Sequence, residues 1–126
     1  MKVLLLAAAT FTASIGIAQA QDLAAGEQSF RKCMACHRIG PDAKNLVGPQ
    51  LNGLDGRKSG TAEGYNYSEA NKKAEITWSE ATFREYIRDP MAKVPNTKMA
   101  FPGVKDETEI TNLWAFLKQF KADGSK

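Results

Sequence analysis

Histidine and cysteine are scarce in this chain: 126 residues hold one His and two Cys. A single histidine excludes any metal centre built on several imidazoles, and two cysteines exclude the disulfide framework that staples many small secreted domains. Beyond the first twenty residues, no apolar run approaches the roughly 20 residues that a membrane-spanning helix needs. No stretch alternates apolar and polar residues as a half-buried strand would, and there is no internal repeat. A strong excess of one charge is lacking too. The chain has 17 Lys plus Arg against 14 Asp plus Glu, and without Lys2 the balance falls to +2. That is no footprint for nucleic acid, although lysines clustered on one face still steer a partner when net charge is small.

The first twenty residues read as an export signal. Met1-Lys2 is a short basic start, Val3 to Ile17 is an almost uncharged apolar run, and Ala18-Gln19-Ala20 has the small-x-small form of a cleavage site. The run is short for a spanning helix, and nothing charged follows it to stop transfer; an uncleaved anchor is the lesser alternative. The expected organisation is therefore a cleaved signal peptide over 1–20 and one soluble domain over 21–126, exported to a bacterial periplasm. About 106 residues suffice for one small core.

All three scarce residues fall within Cys33-Met34-Ala35-Cys36-His37. Such a run suits covalent haem: the two thiols add across the porphyrin vinyl groups, and the adjacent imidazole is held beneath the iron. Other chemistries share parts of the pattern. A redox dithiol is disfavoured because no strand run or βαβ pattern flanks the motif. Structural zinc needs four ligands, usually Cys and His, where the chain offers three. A plain disulfide in an oxidising compartment is the simplest alternative.

A haem iron held by His37 needs a second ligand, and there is no second histidine. Methionine is the natural candidate, because its soft, neutral thioether favours ferrous iron and raises the potential. Met34 lies inside the attachment loop. Met91 follows Asp89-Pro90 and reads as a side chain at a helix end. Met99 sits in Pro95-Asn96-Thr97-Lys98-Met99-Ala100-Phe101-Pro102-Gly103, whose two prolines and glycine predict an ordered, irregular loop. Met99 is the expected ligand.

The scaffold reads as all-α with long loops. Asp22 caps a first helix running to about Lys32, with Phe30 turned inward. Thr77 and Ser79 open another, with Phe83, Tyr86 and Ile87 on one face, ending before Pro90. Asp106 with Glu109 three residues on resembles a capping box, and Ile110, Leu113, Trp114, Leu117 and Phe120 then form an apolar stripe. A shorter helical turn is expected around Ser68 to Lys73, whereas Gly40 to Gly64 reads as loop. Loops this long are uncommon without a function. An apolar ring would give them a core, so the apoprotein is expected to be largely unfolded.

Taken in order, these residues resemble class I cytochromes c, specifically the mitochondrial-like cytochrome c and the bacterial cytochromes c2 and c-550, over essentially all of residues 21–126. The resemblance rests on Gly26 and Phe30 before the attachment motif, then Val47-Gly48-Pro49-Gln50-Leu51, Gly56-Arg57-Lys58-Ser59-Gly60, Tyr67-Ser68-Glu69-Ala70-Asn71, Ile76-Thr77-Trp78 and Thr97-Lys98-Met99. It implies a small class I cytochrome c fold wrapped around one haem c, covalent through Cys33 and Cys36, with His37 and Met99 on the iron. It also implies that the Pro49 carbonyl takes the hydrogen bond of the other His37 ring nitrogen. Arg57, Tyr67 and Trp78 would hold the haem propionates, and Asn71, Tyr86 and Thr97 would form a polar network with a water beside Met99. Gly26 would let the first helix cross the last closely, against Leu113 and Phe116.

The function implied is that of a monomeric, non-enzymatic carrier of single electrons. Its partners would be membrane cytochrome complexes of the bc1 type and a terminal oxidase or reaction centre, in a respiratory or photosynthetic chain. A lysine-bearing haem edge of Lys32, Lys44, Lys98 and Lys105 would meet them. Met91 and Ala92 stand where mitochondrial members carry lysines, and Asp106 and Glu107 follow Lys105, which weakens docking by charge. Two alternatives stay open: a haem enzyme or gas sensor with a displaceable ligand, and a dedicated acceptor for one periplasmic dehydrogenase.

Overall fold

The apolar stripe after Asp106 becomes the longest helix among the described residues, and the rest of the described fold is arranged around it. The computed structural model describes residues 21–126; the expected export signal, residues 1–20, lies outside the described residues. Five α-helices follow in order: α1 Leu23–Phe30, α2 Glu69–Lys73, α3 Glu80–Arg88, α4 Pro90–Lys93 and α5 Glu107–Leu117. Among the described residues there is no β-strand, only one antiparallel bridge between Lys58 and Thr77, and no helix long and apolar enough to cross a membrane.

α1 and α5 pack directly on each other. Asp22 caps α1 by accepting from Ala25 N at 2.9 Å, and its own N–H donates to Asn112 Oδ1 at 3.0 Å. Gly26 is required at the crossing, because a Cβ there would lie 2.1 Å from the Asn112 carbonyl oxygen and 2.9 Å from Phe116 Cβ. The expected neighbour Phe116 is thus present, but the closest approach is to the Asn112 backbone. Phe30 and Phe116 rings meet at 5.5 Å, and Phe116 continues to Phe120 at 5.3 Å. Ile110 and Leu113 are fully buried. Phe120 is buried as expected, though it lies past the end of α5.

The caps depart from the expected pattern in three places. Asp106 does cap α5, accepting from Glu109 N at 2.8 Å, but the Glu109 carboxylate does not fold back. It accepts instead from Ser29 Oγ at 2.8 Å and from Lys32 Nζ; the turn that follows α1 offers a charged donor, and charge-assisted bonds are the stronger ones. The reciprocal capping box stands at α3, where Thr82 N donates to Ser79 Oγ and Ser79 N to Thr82 Oγ1. Thr77 lies before that helix, in the bridge to Lys58. Finally, α1 tightens into a 3₁₀ turn over Arg31–Cys33 instead of running on as α-helix.

α3 ends before Pro90, but Pro90 also begins a helix. Asp89 caps α4 by accepting from Ala92 N at 3.1 Å, and proline at a first helical position has its φ already set and no N–H to leave orphaned. Met91 sits on this short helix and is exposed. The remaining described residues, chiefly 34–68 and 94–106, are loop, and they wall a cavity against α3 and α5.

Candidate metal and cofactor centre

Cys33 lies in the 3₁₀ turn that continues α1, which carries the attachment motif directly off the helical frame. Cys36 N and His37 N both donate to Cys33 O, at 3.0 and 2.8 Å. Gly48 N donates to Cys36 O at 2.8 Å, strapping the loop of residues 46–49 onto the motif. The His37 ring packs flat against that strap: a Cβ on Gly48 would stand 2.4 Å from its Cε1. His37 Nδ1–H donates to Pro49 O at 2.7 Å, which fixes the tautomer and leaves Nε2 as the lone-pair nitrogen. Burial lowers the His37 pKa, against the raising effect of the Pro49 bond, and Arg57 lowers it further. The imidazole is held neutral, the form a metal ligand needs.

Met99, on the wall of the same cavity, is positioned by a chain of hydrogen bonds. Tyr86 Oη on α3 donates to Met99 Sδ at 2.9 Å. Met99 N donates to Thr97 Oγ1 at 3.2 Å, and Thr97 Oγ1 donates to Asn71 Oδ1 at 2.8 Å. That oxygen also accepts from Ser68 Oγ at 2.8 Å. Desolvation pushes the Tyr86 phenol up to about 12, so it stays a donor at every physiological pH.

A third group comes from the paired segments 56–59 and 76–78. Trp78 N donates to Arg57 O at 2.9 Å and Gly56 N to Trp78 O at 2.8 Å. Trp78 packs edge-on to Tyr86 at 4.9 Å. Arg57 Nη1 donates to the carbonyls of Gln50 and Asn52, at 3.0 and 3.1 Å. Its Nε is the one buried side-chain polar atom without a partner among the described residues. Tyr67 Oη accepts from Ala62 N at 2.8 Å, and a hydroxyl that accepts still has its proton to give.

Cys33, Cys36, His37, Pro49, Arg57, Tyr67, Asn71, Trp78, Tyr86, Thr97 and Met99 all line one cavity of about 400 Å³. The remaining wall is mostly apolar, including Phe30, Leu51, Leu54, Phe83 and Leu113. The donor set suits a mainly apolar ring with an acidic edge: two thiols, an imidazole and a thioether on one cavity, and an orphaned guanidinium N–H. Burial also pulls the Arg57 pKa down, a cost that an anion bound alongside would offset. The competing chemistries fare worse. Burial raises the Cys33 thiol to about 11, ahead of the opposing effect of Lys32, whereas a reactive dithiol needs a lowered one. Both cysteines are free, and no group of three or more His, Cys, Asp or Glu that could hold a metal occurs among the described residues.

Several contributors were not legible beforehand. Asn52 is buried and clamps Gly40, accepting from its N–H at 2.7 Å and donating to its carbonyl at 2.9 Å. Asn45 accepts from Gln50 N and donates to Glu63 O, and Tyr65 Oη donates to Val47 O at 2.6 Å. A run of Asn and Tyr between glycines is the only sequence signal for these cross-loop ties. The four lysines also differ from a free ring. Lys32 pairs with Glu109, Lys98 Nζ donates to Asn66 O at 2.9 Å, and Lys105 Nζ donates to Arg88 O and Pro102 O. Lys44 alone is exposed without such a partner among the described residues.

Comparison with known proteins agrees with this geometry. The family profile described as cytochrome c matches residues 23–121. The chain is 64% identical over 114 residues to cytochrome c2 of Blastochloris viridis, covering 90% of each chain. It is 68% identical over 101 residues to cytochrome c-550 of Bradyrhizobium diazoefficiens, covering 80% of this chain and 74% of that one. Among solved structures it resembles cytochrome cH from Methylobacterium extorquens, with a TM-score of 0.72 and 44% identity over 78% of this chain and 98% of the other. The chain belongs to the cytochrome c family and has the class I, all-α cytochrome c fold. Its cofactor is one haem c, held covalently through Cys33 and Cys36, and its function is the transfer of single electrons.

Proposed function

We propose that this chain, processed after Ala20, works in a periplasm as a shuttle whose haem iron is held by His37 and Met99. The observation that carries this reading is the pair of independently fixed donors on one cavity: His37 by Pro49 O, and Met99 by Tyr86 Oη. Bound there, a haem iron supplies a couple that changes by one electron. The chain's own groups set how that couple behaves. The Met99 thioether favours the reduced state, and the Pro49 bond makes the imidazole a stronger donor. The apolar wall excludes water, so the charge change is felt strongly. Arg57 Nε, Tyr67 Oη and the Trp78 indole stand ready for the propionates.

With His37 and Met99 both given to the iron, no position would remain for a substrate, and the chain would act as a carrier and not as an enzyme. Electrons pass at the mouth of the cavity, where Lys32, Val47 and Lys98 stand. Partners there are membrane complexes of the bc1 type and a terminal oxidase or reaction centre. Since Lys32, Lys98 and Lys105 already have internal partners, docking leans on exposed Val47 and Leu46 as well as on charge.

The test is exposure of the reduced holoprotein to carbon monoxide at neutral pH. The visible spectrum is expected to stay unchanged. A rapid shift of the Soret band would mean a position that empties readily, and the protein would then be a haem enzyme or gas sensor.

A further inference from the structure

The segment that carries Met99 leaves α3 and returns to the same turn of it. Its first foot is α4, capped by Asp89. Its second foot is Gly103 to Lys105. Val104 N donates to Ile87 O at 2.8 Å, and Lys105 Nζ reaches Arg88 O and, at 3.3 Å, Pro102 O. Gly103, at φ +104°, lies so close that a Cβ would stand 2.2 Å from Arg88 O. Positive φ and close approach both demand glycine here.

Arg88 is thereby fastened at both ends. Its carbonyl receives the Lys105 ammonium, and its guanidinium grips Glu107, the first residue of α5, through Nε at 2.9 Å and through Nη2. Arg84, one turn earlier, takes the other Glu107 oxygen at 2.7 Å and Thr111 Oγ1 at 2.8 Å. Arg88 and then Arg84 hold the Glu107 pKa below its usual value. Arg88, Lys105 and Glu107 are absent from the cavity wall.

We propose that Arg88 and Glu107 form a latch on the second foot of the Met99 loop, positioning Met99 from outside the cavity and setting how readily another ligand displaces its sulfur. The inference rests on the reading of Met99 as the iron ligand. Between its feet, the loop is held by few bonds: Tyr86 to Sδ, Thr97 to Asn71, and Lys98 to Asn66 O. Release of the second foot lets residues 95–102 move as a unit, while the α1–α5 crossing stays packed. Arg88 and Glu107 are partly exposed, and ion pairs of that kind are individually weak. The latch therefore tunes the closed population and does not create it.

The test is titration of the ferric holoprotein with imidazole, read by loss of the weak red methionine-to-iron band, with a thermal melt of each variant alongside. Arg88→Gln and Glu107→Gln are each expected to bind imidazole about twofold to fivefold more tightly than wild type, and Arg88→Lys to recover part of the difference. Unchanged imidazole affinity in both variants, with the band intact in wild type, would overturn the latch and leave Met99 as ligand. A lowered melting temperature with unchanged affinity would do the same, since it marks a merely structural pair. A wild-type protein without the band would overturn the ligand reading itself, and the latch with it.

Discussion

α5 buries Ile110, Trp114 and Ala115 and packs on α1 and α3, using side chains the polypeptide supplies itself. The loops that carry Arg57, Tyr67 and Met99 instead surround a cavity of about 400 Å³, and they leave a buried guanidinium N–H without a partner. One region is finished by its own sequence; the other is finished by the haem. That division explains why the close backbone approaches are of two kinds. Gly26 admits a helix, whereas Gly48 admits the ring of His37.

The division between frame and loops is tested most severely by removing the cofactor. In a Cys33→Ser, Cys36→Ser variant that carries no covalent haem, near-ultraviolet dichroism and a cooperative thermal transition should both be lost. Loops of this length cost too much conformational entropy to order around an empty core. A cooperative melt in that variant would mean that the loops, too, are self-sufficient.

A smaller effect is expected from attacking the frame alone. In Gly26→Val, the new side chain meets the Asn112 carbonyl and Phe116, and overpacking of this kind costs about 3 kcal/mol. Urea denaturation of the holoprotein should show that loss, with the visible spectrum of the folded fraction unchanged. A changed spectrum with no loss of stability would show that the crossing acts on the site directly.

The smallest effect is expected where frame and mouth meet. Glu109 on α5 holds Ser29 and Lys32 of the α1 region, and Lys32, then Ser29, keep its pKa below the usual carboxylate value. A depressed folded-state pKa gives stability that is present above the unfolded value and lost as pH falls through the folded one. Glu109→Gln should cost about 1 kcal/mol or less at pH 7 and flatten the acid limb of the stability curve. By releasing Lys32 at the cavity mouth, it should also steepen the ionic-strength dependence of reduction by a membrane bc1-type complex. Unaltered salt dependence would mean that Lys32 takes no part in docking.

Much of this was legible in the chain itself. The attachment motif could be read because it concentrates all the cysteine and histidine in five residues. α3 and α5 could be read because their buried residues recur at helical spacing. The Met99 loop could be read because proline and glycine punctuate it. What stayed hidden depends on which distant group lies within reach. Glu109 reads as half of a capping box until α1 brings Lys32 beside it. Lys105 reads as a free docking charge until Gly103 turns the chain over Arg88. Asn112 carries no signal for the Gly26 crossing, since its backbone and not its side chain makes the closest contact. α4 was missed because proline reads as a stop, although after a capping Asp89 it also opens a helix.

The most direct test of the account is the visible spectrum and midpoint potential of the holoprotein beside a Met99→Ala variant. Ligation by His37 and Met99 predicts a low-spin ferric spectrum with the weak red methionine-to-iron band, and loss of that band together with a lower potential in Met99→Ala. A wild-type spectrum that is high-spin, or a variant that keeps both band and potential, would contradict it.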